Sequence, residues 1–139
     1  MKSAPTFTDQ AEEVSSGPKL RKLIFFVSVG LEQPQYAARA FRFAHTASQE
    51  GLPAEVRLTS EAVLLLRDDV YPTIEYPKLK QHMQAVLDVP EILVSLCPVS
   101  AERLGLGLDR VVHPKIFFKP LAKVLREVSE GQAGLIYIG

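Results

Sequence analysis

The chain has 139 residues, 47% hydrophobic and 23% charged, with 16 Lys and Arg balanced by 16 Asp and Glu. A neutral chain of this size fits one globular domain that folds without a metal or disulfide staple. It lacks both the basic excess of a nucleic-acid binder and the polybasic signature of a membrane-surface protein. Its single cysteine, Cys97, excludes an intrachain disulfide, a CxxC redox pair and a cysteine-rich zinc site.

Residues 1–18 are rich in Ser, Thr, Glu and Ala and show no periodicity, which reads as a flexible tail closed by Gly17-Pro18. The tail has no apolar core that would serve as a secretory signal. A single α/β domain is expected over 19–139. The longest strongly apolar run, Leu23 to Leu31, is far shorter than the roughly 20 residues that cross a bilayer. With reduced thiols, the expected location is cytoplasmic.

Leu23 to Val29 is a continuous apolar run, the pattern of a strand covered on both faces. Gly30 ends it, and Pro34 opens a helix to about Glu50. Tyr36, Ala37, Ala40, Phe41, Ala44 and Ala47 form that helix's apolar side, and Gly51 caps it. Ala54 to Thr59 alternates apolar and polar residues and reads as a half-exposed strand nearer the sheet edge. Ser60 is expected to cap a short apolar helix through Leu66. A polar loop over 67–77 precedes a second long helix whose buried stripe is Leu79, Met83, Val86 and Leu87.

Glu91 to Leu96 reads as a central strand with Cys97 at its carboxyl end. Pro98 opens a short helix to about Leu104, closed by Gly105. The segment 110–118 is ambiguous and is compatible with a short strand. Leu121, Val124, Leu125 and Val128 mark the last helix, Gly131 caps it, and Leu135 to Ile138 is the closing strand. Strands alternating with helices predict an open, doubly wound, mainly parallel sheet with helices on both faces. Ligands and chemistry in such sheets gather beyond the carboxyl ends of the strands. The loops 30–33, 59–60 and 97–100 should meet there.

Cys97 is the sharpest candidate. A thiol after a strand and before a helix start faces unpaired N–H groups, which favour thiolate over thiol. Arg103 and Ser100 are candidates to support that anion, by charge and by a hydrogen bond. A small buried hydrophobe is equally compatible with the position. No GxGxxG or P-loop pattern follows a strand, so nucleotide binding has little support. His45, His82 and His113 lack metal-ligand spacing, and no metal is expected. His113, in the segment after the Cys97 loop, is a candidate base for the thiol. Ser28, Gly30 and His113 are the candidate crevice residues. Asp68-Asp69 reads as a solvated turn. Leu64, Leu65, Leu66, Phe117 and Phe118 suit either the core or a subunit interface.

The first strand KLIFFVSVG, the helix PQYAARAFRFAHTASQEG and above all LVSLCPVSAERLGL resemble the DsrE/DsrF-like family, over roughly 19–139. The distinctive feature is a lone cysteine ending the third strand, followed by a short helix with an arginine and then a glycine, here Cys97, Arg103 and Gly105. Pro98 departs from the family pattern, and 110–118 fits it poorly. The resemblance implies a flavodoxin-like, DsrE-like three-layer sandwich and a cytoplasmic, cofactor-free sulfur carrier. It implies a persulfide on Cys97 and protein donors and acceptors of sulfur. It also implies a homo-oligomer, trimer or hexamer, or a hetero-oligomer with related subunits, and neither nucleic acid nor membrane as partner. Some members lack the cysteine, so a non-catalytic scaffold or small-molecule-binding subunit is the alternative expectation.

Overall fold

The apolar run after Arg21 forms strand β1, Lys22–Val27, in a computed structural model that describes residues 21–139. The tail expected over 1–18, and residues 19–20 of the expected domain, lie outside the described residues. Four further strands follow: β2 (Ala54–Leu58), β3 (Leu93–Leu96), β4 (Phe117–Phe118) and β5 (Ala133–Tyr137). All pair in parallel in the order β4-β3-β2-β1-β5. The chain moves outward from β1 through β4, then crosses back to add β5 on the other side of β1.

The crossovers are helices α1 (Pro34–Gln49), α2 (Pro77–Leu87), α3 (Pro98–Arg103) and α4 (Leu121–Ser129). Pro occupies the first turn of α1, α2 and α3, where its missing N–H costs nothing. α1 buries Ala37, Ala38, Ala40, Phe41, Ala44 and Ala47, mostly small side chains that let it pack closely on α2. α2 buries the expected Leu79, Met83, Val86 and Leu87. These two helices cover one sheet face, where Phe25, Val27, Val56, Leu58, Val94 and Leu96 complete the main core. Leu65 and Leu66 belong to that core, with Leu64 packed against it.

The opposite face is built differently. Under α4 lies a small apolar cluster of Ile24, Val124 and Ala133, with Val128 against it. Beside the cluster sits a buried charged network. Lys119 Nζ lies 3.0 Å from Glu55 and 2.6 Å from Glu127, Lys22 Nζ lies 2.8 Å from Glu55, and the Ser95 hydroxyl donates to Glu55 at 2.6 Å.

Three expectations change here. β2 is the middle strand of five and wholly buried rather than half-exposed near an edge. Its alternation records an apolar face and an ion-paired face, because Glu55 and Arg57 point into the network and not into water. α4 forms where its periodicity predicts, yet of its apolar stripe only Val124 is buried. Leu121 is 49% and Leu125 53% exposed, since α4 leans over β1 and β5 with half of its stripe beyond the sheet. Thr59, not Ser60, occupies the cap position of the 3-10 turn Ser60–Leu66. The ambiguous segment 110–118 contains the isolated bridge Arg67–Val111 and then β4, which closes the edge of the sheet.

Candidate functional site at the carboxyl end of β3

The three expected loops do converge. The Ser60 N–H donates to Ser100 Oγ at 2.8 Å, joining the β2 loop to α3. A methyl group at Gly30 would lie 2.9 Å from the Glu61 carbonyl oxygen, so the β1 loop approaches too closely for any residue but glycine. Ser60 has φ 50°, the left-handed region that a non-glycine residue rarely adopts. The turn that delivers its N–H to Ser100 is therefore strained, and strain of this kind concentrates at functional loops.

Cys97 is the cap residue of α3, and its N–H pairs with the Leu58 carbonyl at 3.0 Å, which ties it to β2. Its side chain is half-buried. Pro98 has no N–H, and the first donors that α3 offers belong to Val99 and Ser100. Burial pushes the Cys97 thiol up. The N–H and hydroxyl of Ser100, the N–H of Val99 and the charge of Arg57 outweigh that push and hold it below its ordinary value. The Ser100 hydroxyl oxygen already accepts from Ser60, which leaves its proton for the sulfur. At six residues α3 is too short for a large macrodipole, so individual donors carry the effect.

Arg57 is the site residue that sequence reasoning missed. It sits beside Ser95 in the β2–β3 register, on the network face, and strand alternation turns Cys97 to that same side. Its Nη1 donates to the Lys119 carbonyl at 2.7 Å, while Nε and Nη2 find no hydrogen-bond partner among the described residues. The guanidinium also lies 5.8 Å from the centre of the Phe26 ring. An arginine in an alternating strand reads as solvent-facing, and only the position of β2 within the sheet reveals it as buried.

The other candidates fall in separate places. Ser100 is buried at the sulfur. Arg103 is on the surface, 3.6 Å from Glu61, and the cation whose charge lowers the thiol is Arg57. Ser28 lies at the β1–β5 switch point, its hydroxyl 3.1 Å from the Tyr137 hydroxyl and donating to the Gly139 carbonyl at 3.0 Å. His113 Nδ1 accepts from the Lys115 N–H at 3.0 Å within its own turn, and no hydrogen bond joins it to Cys97. Among the described residues no His, Cys, Asp and Glu side chains group as metal ligands, and no helix is long and apolar enough to cross a membrane.

The comparisons agree with this architecture. The profile of the DsrE/DsrF-like family matches residues 21–131. A protein of unknown function, MTH1491 from Methanobacterium thermoautotrophicum, superposes with a TM-score of 0.62 at 17% identity, over 84% of this chain and 98% of its own. The ychN protein from E. coli superposes with a TM-score of 0.68 at 15% identity, over 85% of this chain and 99% of its own. At these identities the two structures speak for the fold alone. No curated protein matches the sequence.

Proposed function

Because this chain belongs to the DsrE/DsrF-like family, which is generally linked to sulfur relay, we propose that it is a sulfur carrier working through a persulfide on Cys97. The observation that carries the proposal is the setting of the sulfur: half-buried, at the carboxyl edge of the sheet, with hydrogen-bond donors and a buried cation that favour its anion. The Cys97 thiolate attacks the outer sulfur of a donor persulfide. A new S–S bond forms at Cys97, the donor's S–S bond breaks, the donor leaves as thiolate, and the proton stays with the transferred sulfur. An acceptor thiolate then attacks that outer sulfur and releases Cys97 as thiolate. No net oxidation occurs, and the exchange draws on no cofactor. Its rate depends on thiolate fraction, leaving-group pKa and access. With one cysteine the chain has no second thiol to resolve its own persulfide, so donor and acceptor are partner proteins or thiols.

The proposal includes a cytoplasmic setting and an assembled state, as a homo-oligomer or with related subunits. The half-exposed Leu121, Leu125, Leu135 and Ile136 on α4 and β5 support assembly. Those same residues favour a second reading, a scaffold subunit in which Cys97 is inert. Slow alkylation of Cys97 at neutral pH would mark that reading.

The deciding experiment is intact-protein mass spectrometry after incubation with a persulfide donor. Wild type gains a sulfur-sized increment that a thiol acceptor removes, and Cys97→Ser gains none while keeping its fold. Failure of wild type to load, or equal loading of the variant, refutes the carrier.

A further inference from the structure

On the opposite side of α1 from the sheet, α1 and α2 form an open groove of about 390 Å³ lined by the exposed Arg39 and Arg42 of α1, Lys78 and His82 of α2, Gln35, Ala38 and Tyr76. None of its lining side chains is acidic. The chain as a whole is neutral, yet neither α1 nor α2 contains a single Asp or Glu. Lys22, Arg67, Arg103, Arg110 and Lys119 form ion pairs with carboxylates, while other cations, Arg57 and Lys80 among them, do not. Arg39, Arg42 and Lys78 form none among the described residues. Arg39 and Arg42 lie instead over the rings of Tyr36 and Phe43, at 5.6 and 5.0 Å, which orients both guanidinium groups on one helix.

Like charges gathered along one open groove raise its positive potential and favour the approach of an anion. That potential registers at His82, where burial first, then the charges of Arg42, Lys78 and His45, hold the imidazole below its ordinary value. Gln35 and Lys78 belong to the first turns of α1 and α2, and neither turn carries an acidic side chain or a side-chain cap. Both positive helix ends thus add to the four side chains. Forked arginines paired with a lysine suit phosphate oxygens. The half-exposed Tyr76 ring at the rim offers a flat apolar surface beside them.

We propose that this groove binds a small, multiply charged phosphate compound, held by Arg39, Arg42, Lys78 and His82. The phosphates come from a pyrophosphate-like ion or from a nucleoside diphosphate whose ring rests on Tyr76. Recognition uses side-chain cations, which is why no glycine-rich phosphate motif accompanies it in the sequence. The site is separate from Cys97 and stands whether or not the carrier reading does.

Titration calorimetry and thermal shift at constant ionic strength, with inorganic pyrophosphate and ADP as probes, test the proposal. Saturable binding of either probe is expected, tighter for ADP if Tyr76 contacts the base. The histidine resonance of His82 should titrate at higher pH in the bound state. Arg39→Gln with Arg42→Gln should weaken binding by about tenfold or more, the loss of two charge-assisted contacts. Lys78→Glu, on the other helix, should do so independently. Lys123→Gln with Arg126→Gln on α4, and Cys97→Ser, should bind as wild type does. Absence of saturable binding, equal binding by the groove variants, or binding only to a long polyanion such as heparin overturns the proposal.

Discussion

Replacing Ser100 with Ala removes a donor to the Cys97 sulfur and, in the same step, the acceptor of the Ser60 N–H. The thiol should become less acidic, and alkylation below its pKa should slow by about threefold for each unit the pKa rises, since the thiolate fraction falls about tenfold while its nucleophilicity rises. The orphaned Ser60 N–H should cost about 1 kcal/mol in denaturant unfolding. Arg57 acts on the same sulfur through charge alone. Arg57→Gln should displace the pH profile of alkylation to higher pH, and Arg57→Lys should bring it back. A profile unmoved by both Ser100→Ala and Arg57→Gln would remove the electrostatic basis of the site. The place of Cys97 at the end of β3 was legible in the sequence, since a lone thiol between an apolar run and Pro98 has few places to be. Ser100 was legible too, one helical turn on. Arg57 was not, because forty residues separate it from Cys97 and strand pairing alone makes them neighbours.

β2 shows how an element can carry two kinds of interior. Its apolar side chains enter the main core, while Glu55 is wholly buried among Lys22, Lys119 and Ser95 on the other face. Burial pushes the Glu55 carboxyl up, but the hydrogen bonds from Lys22, Ser95 and Lys119 prevail and hold it below the ordinary 4.5. A carboxyl with a depressed folded pKa adds stability above its unfolded value, and that stability is lost as pH falls through the folded one. Glu55→Gln should therefore destabilise the domain at neutral pH by about 3 kcal/mol, the low end for breaking a buried pair because Glu127 still faces Lys119. The difference from wild type should shrink as the pH is lowered below about 4.5. Urea denaturation across pH measures both effects. A penalty that does not change with pH would mean that packing, not charge, holds Glu55.

At the scale of the molecule, the two sheet faces are unequally finished. α1 and α2 cover the three central strands of one face, whereas α4 leaves Leu121 and Leu125 half-exposed beside the edge strand β5, where Leu135 is 40% and Tyr137 66% exposed. An edge strand with apolar side chains and free backbone groups invites a partner. Under the proposed assembly, wild type should run as an oligomer and Leu121→Glu with Leu125→Glu as a monomer with its fold intact, because neither leucine belongs to the buried core. Light scattering after size-exclusion chromatography reads this directly. An unchanged mass for the variant would move the interface elsewhere.

The order of elements, the parallel sheet, the buried stripes of α1 and α2 and the position of Cys97 were determined by the sequence itself. Each depends on local periodicity, on Pro and Gly at element ends, and on the rule that buried strands joined by helices pair in parallel. Tertiary structure alone decided that β2 is central, that the charge of Arg57 rather than Arg103 bears on the sulfur, that α4 keeps half its stripe outside, and that the cations of α1 and α2 share one groove. These outcomes depend on which strand lies beside which and on how two helices are rotated about their axes. A linear pattern cannot separate a polar residue facing water from one facing a buried ion pair, because both satisfy the same alternation.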